Sequence, residues 1–417
     1  MATSASDFQP VGQHGDFRAR LVRVAEALAV AAVISLPWST TATGVLIVIW
    51  AITLIPTLDR PSLSRELSSV AGGAPVLLWA LGAIGMLWAD VSWGERIAGL
   101  SGFHKLLAVP LLLAQFRRGG NANWVILGLL VSCLGLLTVS WFLVLWPGLS
   151  WRGNGLGVPV KSYIFQSEVF ALCALGLTAK ALELWLKRRR LALGLILIAA
   201  VFLANVGYVA TARTTLVVIV VLVLLLGWRQ LGWKGALAAS VAAGIVAGSI
   251  WASSPYLRER VAHAVTEANM SDAGNAGTPV GLRLGFWEKS LIFVSQAPLM
   301  GHGTGSIPKL FRNAAVPGAP PGTITANPHN QIFAVAIPLG LIGVAALLAM
   351  WIGHLALFRN ALFCSDFVTW CGLMVVVENV VGGMFNSQLF DFTEGWLYVL
   401  GVGILGRARL AKQAQES

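Results

Sequence analysis

The sequence predicts an all-α protein that crosses a membrane about twelve times and carries one large loop on the far side. Three observations lead there. Of 417 residues, 57% are hydrophobic and 11% charged, with a mean hydropathy of +0.76, whereas soluble domains carry about 25% charged residues. The apolar residues gather in runs close to the roughly 20 residues a transmembrane helix needs. Basic residues cluster in alternate connections, as the positive-inside rule requires. This composition excludes a water-soluble enzyme. It also excludes disorder, which needs low hydrophobicity and high charge.

The runs are 22–39, 42–57, 73–90, 99–116, 123–146, 163–185, 191–210, 213–228, 235–252, 330–352, 361–384 and 393–407. The first follows a polar segment holding Arg18, Arg20 and Arg23. The second is short and returns to Arg60 and Arg65. The third and fourth go out and come back to Arg117 and Arg118. The fifth and sixth return to Lys180 and the Lys187–Arg190 cluster. The seventh and eighth return to Arg229 and Lys234. The ninth leads out to the large loop, and the tenth returns to Arg359. The last pair ends at Arg407, Arg409 and Lys412. With the N-terminus in the cytoplasm, 18 of the 29 basic residues fall on the cytoplasmic side, and both termini lie there.

The expected organisation is a cytoplasmic N-terminus (1–21), nine spans (22–252), a large loop (253–329), three spans (330–407) and a cytoplasmic tail (408–417). The net charge of +11 follows from the positive-inside bias, and no nucleic-acid partner is expected. The first 20 residues are polar and the first run lacks a cleavage site, so no cleaved leader is expected. Cys133, Cys173, Cys364 and Cys371 sit in apolar runs, which argues against a disulfide framework.

Within the loop, Pro255–Asn269 reads as an amphipathic helix. Leu282–Ser295 carries Leu284, Phe286, Trp287, Leu291 and Ile292, and is expected to lie against the membrane surface or the bundle. A Gly/Pro-rich stretch follows. Loops of this length without a fold of their own are usually functional.

Several chemistries lack their residues. The chain has no Walker A lysine motif, no HExxH, no CxxC and no Asp-x-Asp. The far-side acids, among them Asp90, Glu95, Asp391 and Glu394, are scattered, so neither metal nor cofactor is expected. What remains is a cationic and imidazole set. Arg213 opens a span, where a cation either snorkels to headgroups or meets an anion. Arg283 lies in the loop, and a guanidinium suits phosphate because it donates two parallel hydrogen bonds. Lys161 and Gln166 stand at another far-side helix start, either as anchors or as ligands. His329 lies in Asn327-Pro328-His329-Asn330. With Asn327 as N-cap and Pro328 at the first helical position, His329 falls in the first turn, where the macrodipole disfavours its cation. A neutral imidazole is what a general base needs. Lys105, Glu168 and Glu378 are ambiguous mid-span ionisable residues.

These pieces resemble the O-antigen ligase and polymerase superfamily of bacterial envelope glycosyltransferases. The resemblance rests on Thr211-Ala212-Arg213-Thr214-Thr215 at a span start, the long loop with Arg283 and Trp287, and Pro298-Leu299-Met300-Gly301-His302-Gly303-Thr304-Gly305. It continues with Pro328-His329-Asn330-Gln331 and Gly340-Leu341-Ile342-Gly343. It covers roughly residues 160–405 at motif level.

The resemblance implies a GT-C-like enzyme of the inner membrane with its site facing the periplasm. Its ligase members move a finished polysaccharide from undecaprenyl diphosphate to the lipid A–core oligosaccharide. The short tail after the last run argues for a ligase over a protein O-oligosaccharyltransferase; the polymerase stays open as an alternative. On this reading His329 is the base and Arg213 and Arg283 bind the diphosphate. Lys161, Gln166, Asn330 and His302 are further substrate contacts, and Trp287 either guides the polyprenyl chain or packs in the core. A lipid or solute transporter is the rival class, with its polar residues expected near the midplane.

Overall fold

The computed structural model describes residues 13–117, 122–151, 155–256, 258–259, 262, 279–315, 323–363 and 366–406. Among them there are helices and turns but no strand. Helices α1 (Gln13–Ser35) and α2 (Thr40–Leu54) form the first hairpin, and the Ser39 Oγ caps α2 by accepting from Ala42 N at 3.1 Å. The short helix α3 (Arg60–Ser68) meets α4 (Val70–Ile84) at 81°. Helix α5 (Trp93–Ser101) begins with a capping box between Ser92 and Glu95, and bends by 48° into α6 (Ala108–Arg117). Then come α7 (Ala122–Leu145), α8 (Tyr163–Leu184) and α9 (Arg189–Tyr208).

The helical stretch α10 (Arg213–Ser253) is two arms. Leu231 and Gly232 leave helical geometry, Gly232 at φ 61°. A Cβ at Gly227 would overlap the Gly235 carbonyl, although a straight helix would hold these residues about 12 Å apart. The second arm therefore folds back, and Tyr208 meets Ser253 at 2.5 Å between their hydroxyls. The sequence read two runs here, and the turn lies between them.

Helix α11 (Pro279–Gln296) covers the expected segment 282–295, and a short α12 (Ile307–Asn313) follows. The proposed helix 255–269 lies largely outside the described residues. The chain ends with α13 (Gln331–Leu357), α14 (Phe367–Gly383) and α15 (Phe392–Leu405).

By length and apolarity alone, five helical stretches can cross a membrane, or seven if each bent pair is one span. Every apolar run coincides with a helix, yet fewer than twelve meet that test. Helix α8 buries Gln166 and Glu168, α14 and α15 have 17 and 14 residues, and α10 counts once despite its two arms. Leu197, Val220 and Val241 are each more than half exposed. Such outward apolar faces belong to a multi-pass membrane protein, whose surroundings are as apolar as its core.

Hydrogen bonds sort the helix ends into two faces. On the basic face Arg117 pairs with Glu66 at 2.7 Å, Arg229 with Glu183 at 2.8 Å, and His354 Nε2 with the Ala71 carbonyl at 2.8 Å. His354 is buried in α13, which runs five residues past the apolar run. The opposite face holds the ends of α4 and α14 and the starts of α8, α13 and α15, and it carries the candidate site.

Candidate active site

Helix α13 is broken near its start. Pro338 lacks an N–H, and Gly340 adopts φ 62° and ψ −160°, a region open to glycine almost alone. Freed backbone groups at membrane depth must find partners. The segment 298–303 supplies them. His302 N donates to Ile337 O at 2.8 Å, Gly303 N to Pro338 O at 2.9 Å, and Leu341 N to Pro298 O at 2.8 Å. Thr304 then locks the segment to α4 through Gly82 O at 2.6 Å and Gly85 O at 3.0 Å. The glycine-rich motif is thus backbone carpentry. The His302 ring belongs to it, with Nε2 on the Phe293 carbonyl at 2.8 Å.

Above this break, Phe286 and Phe293 of α11 meet Phe311 of α12 edge-on, at 5.4 and 5.2 Å. This clamp aims one face of α11 at His329. Positions i, i+3 and i+4 share a helix face, and here they are Arg283, Phe286 and Trp287. Phe286 stacks on the imidazole at 5.9 Å and 16°. Trp287 Nε1 donates to the His329 carbonyl at 3.3 Å. Arg283 is close enough to act on the charge of His329.

The helix start differs from the expected one. Asn330, not Asn327, is the N-cap: its Oδ1 accepts from Ile332 N at 2.9 Å and Phe333 N at 3.2 Å, and its Nδ2 donates to Met384 O at 2.9 Å. Asn330 is thereby a structural cap. His329 precedes the helix and is left-handed, at φ 52°. Asn327 instead holds the turn, its Oδ1 accepting from His329 N at 2.8 Å and from Ser387 Oγ at 2.7 Å.

The loop between α14 and α15 completes the site, and sequence reasoning missed it. Asn386 Nδ2 donates to Asp391 Oδ2 at 2.7 Å. A carboxylate only accepts, so the amide oxygen faces the other way. There it lies 3.0 Å from His329 Nδ1 and 3.1 Å from Asn327 Nδ2. His329 Nδ1 therefore carries the proton, and Nε2 keeps its lone pair. Burial, then Arg283, push the imidazole below its ordinary value, while Asn386 pulls it back. Burial and a neighbouring cation thus favour the neutral ring, where the sequence invoked a helix dipole.

The other candidates sit on other elements. Gln166 is buried, its Nε2 donating to Ser140 Oγ at 3.0 Å, Gly157 O at 3.2 Å and Asn205 Oδ1 at 3.1 Å. It joins α7, α8 and α9 inside the bundle. Lys161, at φ 56°, ties the α1 end to the α15 start by donating to Leu36 O and, at 3.3 Å, to Thr393 Oγ1. Burial pushes its ammonium down to about 8 against the pull of Glu394. Arg213 is half-buried at the start of α10, where the preceding Ala212 N donates to Ser167 Oγ of α8 at 3.4 Å. Among the described residues, no group of three or more His, Cys, Asp or Glu is placed to hold a metal ion.

The helical bundle of a multi-pass membrane protein thus carries an oriented imidazole beside an arginine at one end. Residues 198–348 match the family described as O-antigen ligase. That stretch, just over a third of the chain, is what is similar to the family. The chain is also 28% identical over 126 residues to an uncharacterized protein of Haemophilus influenzae, a match that spans 30% of each chain. The matched family region contains Arg213, Arg283 and His329, but not Asn386 or Asp391.

Proposed function

We propose that this chain is an O-antigen ligase of the inner membrane. It transfers a polysaccharide from undecaprenyl diphosphate to the lipid A–core oligosaccharide at the periplasmic face. One observation carries the reading: the lone pair of His329 Nε2 is fixed by Asn386 and stands beside Arg283. On this reading the twelve apolar runs are twelve spans, the basic face and both termini are cytoplasmic, and 253–329 is a periplasmic loop.

The reaction joins an acceptor sugar oxygen to the anomeric carbon of the donor as the bond to the diphosphate breaks. The acceptor hydroxyl is a poor nucleophile and gives its proton to His329 Nε2 as the new bond forms. Negative charge grows on the departing lipid diphosphate. Arg283 and Arg213 hold it with charge-assisted hydrogen bonds. A single displacement inverts the anomeric centre. The indole of Trp287 is committed to the His329 carbonyl, so its role is to hold that backbone as well as to face the lipid.

The test is reconstitution of purified protein with undecaprenyl-diphosphate-linked glycan and lipid A–core, in EDTA, for wild type and His329→Ala. Glycan on lipid A–core, lost in the variant, is the expected result. Longer lipid-linked glycan on unmodified lipid A–core makes the protein a polymerase. Absence of either product in a folded sample moves it to the transporter class.

A further inference from the structure

A cavity of about 340 Å³ opens beside the turn that holds His329, at the small end of the roughly 300–1,000 Å³ of small-molecule sites. The α5 wall shows how it is carved. Glu95, Ala98, Gly99 and Gly102 fall at i, i+3, i+4 and i+7 on one helix face, and three of the four are small. Gly99 lets that face approach the glycine-rich segment: a Cβ there would lie 2.5 Å from Gly305 Cα, and Gly305 itself is at φ 92°. The floor is Ala334 and Pro338 of α13, and the opposite wall is Asn327, Ser387, Phe390 and Asp391. The motif that repairs the break in α13 therefore also shapes a hollow.

The reacting atoms meet elsewhere. Asn327 and Asp391 lie with Asn386 on the Nδ1 side of the imidazole, whereas the lone pair that takes the proton is on Nε2. A group in the cavity is thus a neighbour of the group that reacts.

Asp391 sets the chemistry of that group. It stands at the N-cap of α15, where an aspartate ordinarily accepts from its own helix, yet it makes no such bond. Its Oδ2 accepts from Asn386 at 2.7 Å, and its Oδ1 has no hydrogen bond among the described residues. Lys105 donates to its backbone carbonyl, not to its carboxylate. A carboxylate accepts only, so the ligand must donate. No lysine or arginine lines the cavity, so a phosphate or an acidic ligand finds no countercharge there. Phe103 and Phe390, with ring centroids 4.4 Å apart, supply an apolar side. A pyranose has both features, hydroxyl donors around its edge and C–H groups on its face.

We propose that this cavity binds one uncharged sugar ring of a glycan, beside the unit that reacts, through a hydroxyl that donates to Asp391 Oδ1. That the ring belongs to a substrate rests on the glycosyl-transfer reading; that it is a polyhydroxylated ring rests on the walls of the cavity. Both the donor glycan and the acceptor oligosaccharide contain such rings.

The test is saturation-transfer difference NMR on the purified full chain with two probes, the lipid-free core oligosaccharide and a lipid-free repeat unit of the O-antigen. At least one probe should give signals concentrated on one ring, and the probe that does so names the source. Ala98 is exposed at the rim, and Ala98→Trp should fill the cavity and abolish those signals. Asp391→Asn should weaken the affinity about ten-fold, the worth of one hydrogen bond to a charged group. In the reconstituted transfer assay, Ala98→Trp should raise the KM for the same substrate and spare kcat. Binding of neither probe by wild type, undiminished binding by a folded Ala98→Trp, or unchanged affinity in Asp391→Asn overturns the proposal. Should Ala98→Trp fail to fold, Ser101→Trp at the same exposed rim takes its place. A wild type that binds a probe but transfers nothing removes the proposed reaction and keeps the sugar site.

Discussion

Asn386 Oδ1 lies 3.0 Å from His329 Nδ1, while the Nδ2 of the same amide donates to Asp391 at 2.7 Å. One side chain thus converts a fixed carboxylate into a fixed imidazole tautomer, the task an aspartate performs directly in hydrolase triads. His329→Ala is expected to lower turnover about 10²–10⁴-fold, the usual worth of a positioned base. Asn386→Ala should lose a smaller part of that, in kcat and not in the KM of the donor. A raised donor KM with unchanged kcat would place Asn386 in substrate binding instead.

The pH profile tests the environment of the base. The folded His329 titrates below its ordinary 6.5, so its base form predominates at pH 7 and is lost as pH falls through that lowered value. The acid limb of kcat/KM should therefore lie below pH 6.5. Arg283→Gln removes a charge that depresses the imidazole and should move the limb upward. A limb that stays fixed in the variant separates Arg283 from His329.

Arg213→Ala and Arg283→Ala should each cost about 10²–10³-fold in turnover, the loss seen when one donor to developing charge is removed. Membrane insertion, read by protease accessibility, should stay normal. Full turnover in both variants would remove the diphosphate clamp from the mechanism.

Gln166→Ala should act on stability alone. It strands Asn205 Oδ1 in the core, where an unsatisfied polar group costs about 1–3 kcal/mol. Thermal unfolding in detergent should register this loss, with turnover per folded molecule unchanged. A fall in turnover at equal stability would return Gln166 to the substrate.

Gly340→Ala should prevent normal folding. Its φ of 62° and ψ of −160° suit glycine, and the new methyl would overlap the Leu299 backbone. Detergent-extracted variant should elute as aggregate in size exclusion; a wild-type elution profile would show that the break in α13 is soft.

The helices were legible in the sequence because hydropathy decides them: α8, α9 and α15 begin within two residues of the runs read for them. The His329–Arg283 pairing was legible only as two separate residues, since 46 positions part them and the aromatic clamp of Phe286, Phe293 and Phe311 closes the distance. The helix start was misplaced because Asn327, Pro328 and Asn330 offer competing caps, and Asn327 is taken by Ser387. Asn386 and Asp391 were illegible as partners: they sit between two apolar runs with no motif spacing, and only the α14–α15 turn makes them neighbours. Gln166 misled for the opposite reason. It stands one turn from Lys161's end of α8, but its side chain points inward, and burial is a property of neighbours.

Among the described residues, His329 and Lys161 are the two non-glycine positions with positive φ. The left-handed region costs an ordinary residue about 1–2 kcal/mol, and glycine is largely spared. On the proposed mechanism, a glycine at position 329 relieves that strain and removes the base. On that mechanism, a melting-temperature screen of this chain should enrich inactive variants at that position.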